Sequence, residues 1–409
     1  MLDVFRVTGI GIVFSLWLAT GYFIRATGID RYAPGTLLDP MEHPNLAAWH
    51  DAAAAQLPPS TTVWDAHTHT GAADPDGFTN TPEALLEALD RAGHAGAVFT
   101  TSADPLGYRL HNDRILEEAA QSDGRLIPFL RIDPKDSSAA GEAKRSLDAG
   151  HRGIKLHPRS EGFRLDHPVV AEVAAIAAVR RVPLLIHAGR GMDPLGDTPV
   201  RLLDANPGLQ IILAHCAISD LSKLAPESHT RPGLMFDTAW WNPADLAALF
   251  SSVDASQILY GSDMPYGAPL MSLTIAARAA IQAGLSGPAL SAVFGGNLQR
   301  VLTGETATQI GVGVPTFVDP GLLRVASNLF GAIETTFAGI TRSQPLDLAR
   351  RAAETAPSPL EELYAAIRAT IDAVDELQDE HPRQRLGLLV AACSAALTPA
   401  AGYPAPPQH

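Results

Sequence analysis

The sequence predicts an α/β protein built on a (β/α)8 TIM barrel, with an N-terminal hydrophobic helix and a C-terminal helical extension. Three observations carry that expectation. From Thr61 onward, eight short apolar runs alternate with longer amphipathic stretches, the pattern of parallel strands joined by helices. The alternation stops near Thr303. Polar residues recur where the runs end, the edge that forms the C-terminal mouth of a barrel.

The N-terminal segment, residues 1–60, opens with Val7–Ile24, 18 residues without a charge, the lower limit for a membrane-spanning helix. Three readings compete: a membrane anchor, a helix packed on the barrel or on a partner chain, and a cleaved signal peptide. Arg25 and Arg31 follow the stretch and only Arg6 precedes it, which places the barrel in the cytoplasm if the stretch is an anchor. Residues 29–60 read as a connector with one short helix around Leu46–Ala55, closed by Pro58-Pro59.

The barrel spans residues 61–303. Its runs are Thr62–His67, Ala95–Thr101, Leu126–Ile132, Gly153–His157, Pro183–His187, Gln210–His215, Gly233–Thr238 and Gln257–Gly261. Thr81-Pro82-Glu83 supplies an N-cap, a first-turn proline and a first-turn acid, and Gly93 supplies the stop. Pro168 opens a second helix with Val169, Val173 and Ile176 on one stripe. Pro128 fits a sheet interior poorly and predicts a bulge or an irregular edge. The barrel should close with a Leu290–Leu302 helix.

Residues 304–398 read as the helical extension. Ser358-Pro359-Leu360-Glu361 looks like a capping box, and the apolar Leu386–Leu397 run is too short to span a bilayer and reads as a buried helix. Residues 399–409 read as a disordered tail.

A net charge of −14 with no cluster of Lys or Arg argues against nucleic acid as a partner. Cys216 and Cys393, the two cysteines, make neither a disulfide framework nor a thiolate zinc site. The 14 histidines say more. In Asp65-Ala-His67-Thr-His69, strand alternation puts His67 and His69 on one side, with Asp65 below them. The fourth run ends with Lys155 and His157, the fifth with His187, the sixth with His215 and the eighth with Asp263. Nitrogen and oxygen donors of this kind suit zinc, and also manganese or iron. His94, His151 and His229 read as surface or turn residues. Trp240-Trp241, after Asp237, either wall an aromatic pocket or pack on a loop.

Gly153-Ile-Lys155-Leu-His157-Pro158, Ile186-His187-Ala-Gly189, Ala214-His215-Cys216, Tyr260-Gly-Ser-Asp263-Met-Pro265 and Gly295-Gly-Asn297 follow the first motif in order. With them the chain resembles the amidohydrolase superfamily, in the branch that also holds aromatic and semialdehyde decarboxylases. The resemblance covers about residues 62 to 303. It implies a divalent metal, zinc before manganese or iron, held by His67, His69, His187 and Asp263. His215 is implied as a second-site ligand or as the group that polarises a substrate carbonyl, with Asp263 handling the proton. Lys155 is implied either as a carbamylated bridge between two ions or as a cation that holds a substrate carboxylate with Arg159. His157 then lines the pocket.

The expected activity is a metal-dependent hydrolase that activates water against a small carboxylated molecule. A non-oxidative decarboxylase using the same site is the alternative, and Asp65, two residues before His67, partly fits its pattern. A catalytically silent, membrane-tethered barrel is the third reading. A homo-oligomer is compatible with all three.

Overall fold

The computed structural model describes residues 43–404 except 73–77, 105–106, 190, 315, 317, 338–343, 355–359 and 378–381. The Val7–Ile24 stretch lies outside the described residues. Among these, no helix is long and apolar enough to cross a membrane.

Eight parallel strands run in sequence order: β1 (Trp64–Thr70), β2 (Gly96–Thr101), β3 (Leu126–Arg131), β4 (Gly153–Leu156), β5 (Pro183–Ile186), β6 (Gln210–Leu213), β7 (Leu234–Asp237) and β8 (Ile258–Leu259). The sheet is a TIM barrel, and residues just past β8 bring its two edges together. Ala66 N–H donates to Tyr260 O at 2.8 Å, Asp263 N–H to His67 O at 2.8 Å and His69 N–H to Met264 O at 2.7 Å. The loop that carries Asp263 is thereby bonded directly to the strand that carries His67 and His69.

Strand alternation divides the core. Val98, Phe129, Leu185, Ile212, Met235 and Leu259 share one buried cluster with Leu298 and Val301. Their neighbours Ala97 and Phe99 face outward onto Leu85, Leu89 and Ile115. The strands are therefore apolar on both faces, as parallel strands sheathed by helices must be. Thr81 caps the Pro82–Arg91 helix by accepting from Ala84 N–H at 3.2 Å, and the expected stop, Gly93, has φ +68°. The barrel's closing segment is helical over Pro288–Ser291 and Asn297–Leu302, with a wider π turn at Ala292–Gly296 between them. A Cβ on Gly295 would stand 2.0 Å from Thr62 O, so only glycine fits there.

Several expectations need correction. Pro128 makes no bulge, because β3–β4 pairing begins one residue later, at Phe129↔Gly153, and the missing N–H removes no bond of that ladder. His94 and His151 do lie in the short links between a helix and the next strand, but they are buried there rather than on the surface. His94 packs edge-on against the Tyr260 ring, and His151 Nδ1 donates to Ser146 O at 3.0 Å. The expected capping box falls partly outside the described residues, and the helix begins at Glu361 with Leu360 at its N-cap.

The extension forms helices Pro320–Phe337, Gln344–Glu354, Glu361–Glu376 and Pro382–Leu397, and the last of them is buried over Leu388–Ala396. It packs on the barrel helix Pro269–Gln282 and on the N-terminal helix Pro44–Ala54. Of the expected tail, residues 405–409 lie outside the described residues, and its first turn is ordered. Pro399–Ala401 forms a 3-10 turn with Ala401 fully buried. Arg278 holds it there: Nε donates to Thr398 Oγ1 at 3.0 Å, Nη2 to Thr398 O at 2.9 Å and Nη1 to Gly402 O at 2.8 Å. The guanidinium also lies 4.8 Å from the Trp49 ring centroid, tying extension, barrel and N-terminal helix together.

Candidate active site

The register of β1 against β2 slips by one residue between Asp65 and Thr68. Such a bulge re-aims side chains at a strand end. Asp65 stabilises it: Oδ1 accepts the N–H of His67 at 3.0 Å and the N–H of Ser262 at 3.0 Å. Asp65 is thus a fully buried brace between β1 and the loop after β8, which explains why an acid stands two residues before His67.

His67 and His69 turn their Nε2 atoms to within 3.1 Å of each other. Asp263 Oδ1 lies 3.4 Å from His67 Nε2 and 3.2 Å from His69 Nε2. The three side chains offer ligand atoms within 4.8 Å of one another. Lys155 Nζ reaches His67 Nε2 at 2.6 Å from the end of β4. Burial, with the Lys155 ammonium adding to it, holds both imidazoles well below their usual pKa, so they are neutral, the form that ligates metal. Burial also lowers Lys155 to about 8 and raises the Asp263 carboxyl. Neutral nitrogens and one carboxylate in a buried setting fit a divalent cation, by the chemistry of the donors alone.

His187 stands beside this trio rather than inside it. Its ring stacks on His157, centroids 3.9 Å apart, and its Nδ1 lies 2.9 Å from His215 Nε2. His215 Nδ1 donates to Ala239 O at 2.6 Å. A carbonyl can only accept, so the His215 proton sits on Nδ1 and Nε2 is the acceptor facing His187. A Cβ on Gly189 would meet His215 Cδ2 at 2.8 Å, so glycine lets the two imidazoles approach. His215, Cys216, Ala217 and Asp263 all have φ between 47° and 60°, strain of the kind that gathers at functional sites.

Arg159 is exposed, and its Nε lies 2.9 Å from where a Gly191 Cβ would be. It lines an outer cavity of about 330 Å³ with Phe163 and Asp193, whereas Lys155 is buried in the barrel. Trp240 lies beside His215, ring centroids 6.3 Å apart, and Trp241 stacks on Phe330 of the extension at 5.9 Å.

Two strand ends had no role in the sequence reading. Asp237 ends β7, fully buried, bonded to both His67 and His215. Arg131 ends β3, paired in register with Lys155, and sends Nε and Nη2 to Glu161 Oε1 at 3.1 and 2.7 Å. Their signal was the same handover from apolar run to polar residue, in Met-Phe-Asp237 and Phe-Leu-Arg131.

The family model described as Amidohydrolase matches residues 64–303. Among solved structures, 5-carboxyvanillate decarboxylase from Sphingomonas paucimobilis is 16% identical over 60% of this chain and 99% of its own, with TM-score 0.47. A dihydroxybenzoic acid decarboxylase from a Polaromonas species, solved with manganese and 2-nitroresorcinol, is 15% identical over 59% and 97%, with TM-score 0.48. An uncharacterized TIM-barrel protein from Bordetella bronchiseptica is 19% identical over 59% and 99%, with TM-score 0.48. No curated protein matches the sequence. The model match covers more than half of the chain, ends within a residue of the barrel's predicted close, and takes in every strand end described above; the chain belongs to the amidohydrolase family, metal-dependent enzymes on a (β/α)8 barrel.

Proposed function

We propose that the chain is a metal-dependent hydrolase acting on a small carboxylated molecule. The observation that carries this is Asp263, which offers one oxygen to His67 and His69 while its other lies 3.9 Å from His215 Nδ1. His67, His69 and Asp263 would hold a divalent ion, zinc before manganese or iron, with His187 as the candidate fourth ligand. Such an ion supplies Lewis acidity, polarising a carbonyl and making water a better proton donor. Asp263 takes the proton of the attacking water and passes it to the leaving group, a shuttle that suits a carboxylate whose pKa burial has raised. His215, fixed with its proton on Nδ1, lines the face where the substrate carbonyl lies. Lys155 holds a substrate carboxylate, His157 walls the pocket and Arg159 attracts anions at the rim.

The decarboxylase alternative drew on Asp65, whose Oδ1 is a brace that accepts the backbone N–H groups of His67 and Ser262. The test is a panel of small carboxylated amides and esters incubated in ¹⁸O-water with metal-loaded protein. Hydrolysis puts ¹⁸O into the product acid. Release of CO2 without ¹⁸O in the residual product would replace the hydrolase by a decarboxylase. A chain that binds no divalent ion would end both.

A further inference from the structure

We propose that Asp237 is a positioning residue that fixes the ring tautomer of His67, keeping the proton on Nδ1 and the lone pair on Nε2. This rests on the reading of His67 as a metal ligand only for its consequence, not for its geometry.

Asp237 has two oxygens and three partners, two of them backbone N–H groups and the third the His67 ring. Oδ1 accepts the backbone N–H of His215 at 2.7 Å and of Ala239 at 3.0 Å. Backbone N–H groups can only donate, so that oxygen is committed. Oδ2 lies 2.9 Å from His67 Nδ1, with both side chains shut off from solvent. A neutral imidazole carries one N–H. If Nδ1–H donates to Asp237, Nε2 is left as an acceptor, aimed at His69 Nε2 and Asp263 Oδ1. The Lys155 ammonium, a pure donor at 2.6 Å, makes the same demand from the other side.

Asp237→Asn separates this role from a bland structural one. The amide has one acceptor oxygen, and the two backbone N–H groups claim it. Its NH2 then faces His67 Nδ1 and can only donate, so the ring proton must move to Nε2. If Asp237 merely pinned the turn after β7, Asn would be silent, because it keeps both backbone bonds.

The experiment uses full-length, metal-stripped protein with ¹⁵N-labelled histidine, and reads the His67 tautomer by long-range ¹H–¹⁵N correlation. Lys155→Met is the background, so that the ammonium does not oppose the change. The expected result is Nδ1–H in Lys155→Met and Nε2–H in Lys155→Met/Asp237→Asn. The same tautomer in both overturns the proposal, as does Nε2–H in the single variant, which needs no asparagine protein to fold. A second arm titrates zinc against a chelator: Asp237→Asn alone should lose about 10- to 100-fold in affinity, the usual cost of losing a partner behind a ligand. Unchanged affinity in a chain whose parent binds zinc also overturns it. A parent that binds no zinc ends the metal reading, and the tautomer arm still decides this one.

Discussion

Lys155 Nζ lies 2.6 Å from His67 Nε2, with both residues fully buried. An ammonium only donates, so Lys155 would compete with a metal ion for the one lone pair on His67 Nε2. We expect one ion per chain, and Lys155→Met should raise KM for a carboxylated substrate while metal content holds or rises. Elemental analysis giving two ions per chain, with intact mass raised by one CO2 on Lys155, would instead make it a carbamylated bridge.

Asp263→Asn and His187→Ala should each lower turnover by orders of magnitude and leave far-UV circular dichroism unchanged. If both are ligands as proposed, their loss removes Lewis acidity and not the apolar layers that hold the barrel. His187→Ala with full metal content and normal turnover would confine the site to His67, His69 and Asp263.

His94 gives a pH prediction remote from the chemistry. Burial lowers its pKa from 6.5 to about 3, with His50 adding to the effect. Below pH 6.5 the unfolded chain takes up a proton that the folded chain refuses, so stability falls as pH falls towards about 3. The slope from this one group is up to about 1.4 kcal/mol per pH unit. Urea melts of His94→Leu should show a flatter acid limb than the parent. Parallel limbs would mean that His94 protonates in place.

Arg278→Met should destabilise the chain by on the order of 3 kcal/mol, because it strands the Thr398 and Gly402 carbonyls and unpins the last turn. Thermal melts read the loss, and limited proteolysis should cut first around residues 398–404. An unchanged melting point with a protected tail would show that helix packing alone holds the terminus.

The barrel was legible because its signals are local. Apolar runs, turn residues and the capping threonine Thr81 report backbone geometry within a few positions, so all eight strands overlap the expected runs. The same locality exposed the polar strand ends at His67, His69, Lys155, His187, His215 and Asp263.

Tertiary structure alone decided which strand ends meet and how. His67 and Asp237 are 170 residues apart, and nothing near either one states that a carboxylate oxygen will find an imidazole nitrogen. The bulge after Asp65 and the pairing of His187 with His215 likewise arise only when the sheet closes. Arg278 shows the same limit: nothing beside this charge on a mostly apolar helix states that the Pro399–Ala401 turn will fold over it. Sequence period fixes which way a side chain leaves its own strand; its partner is set by barrel closure, which brings distant strands to one mouth.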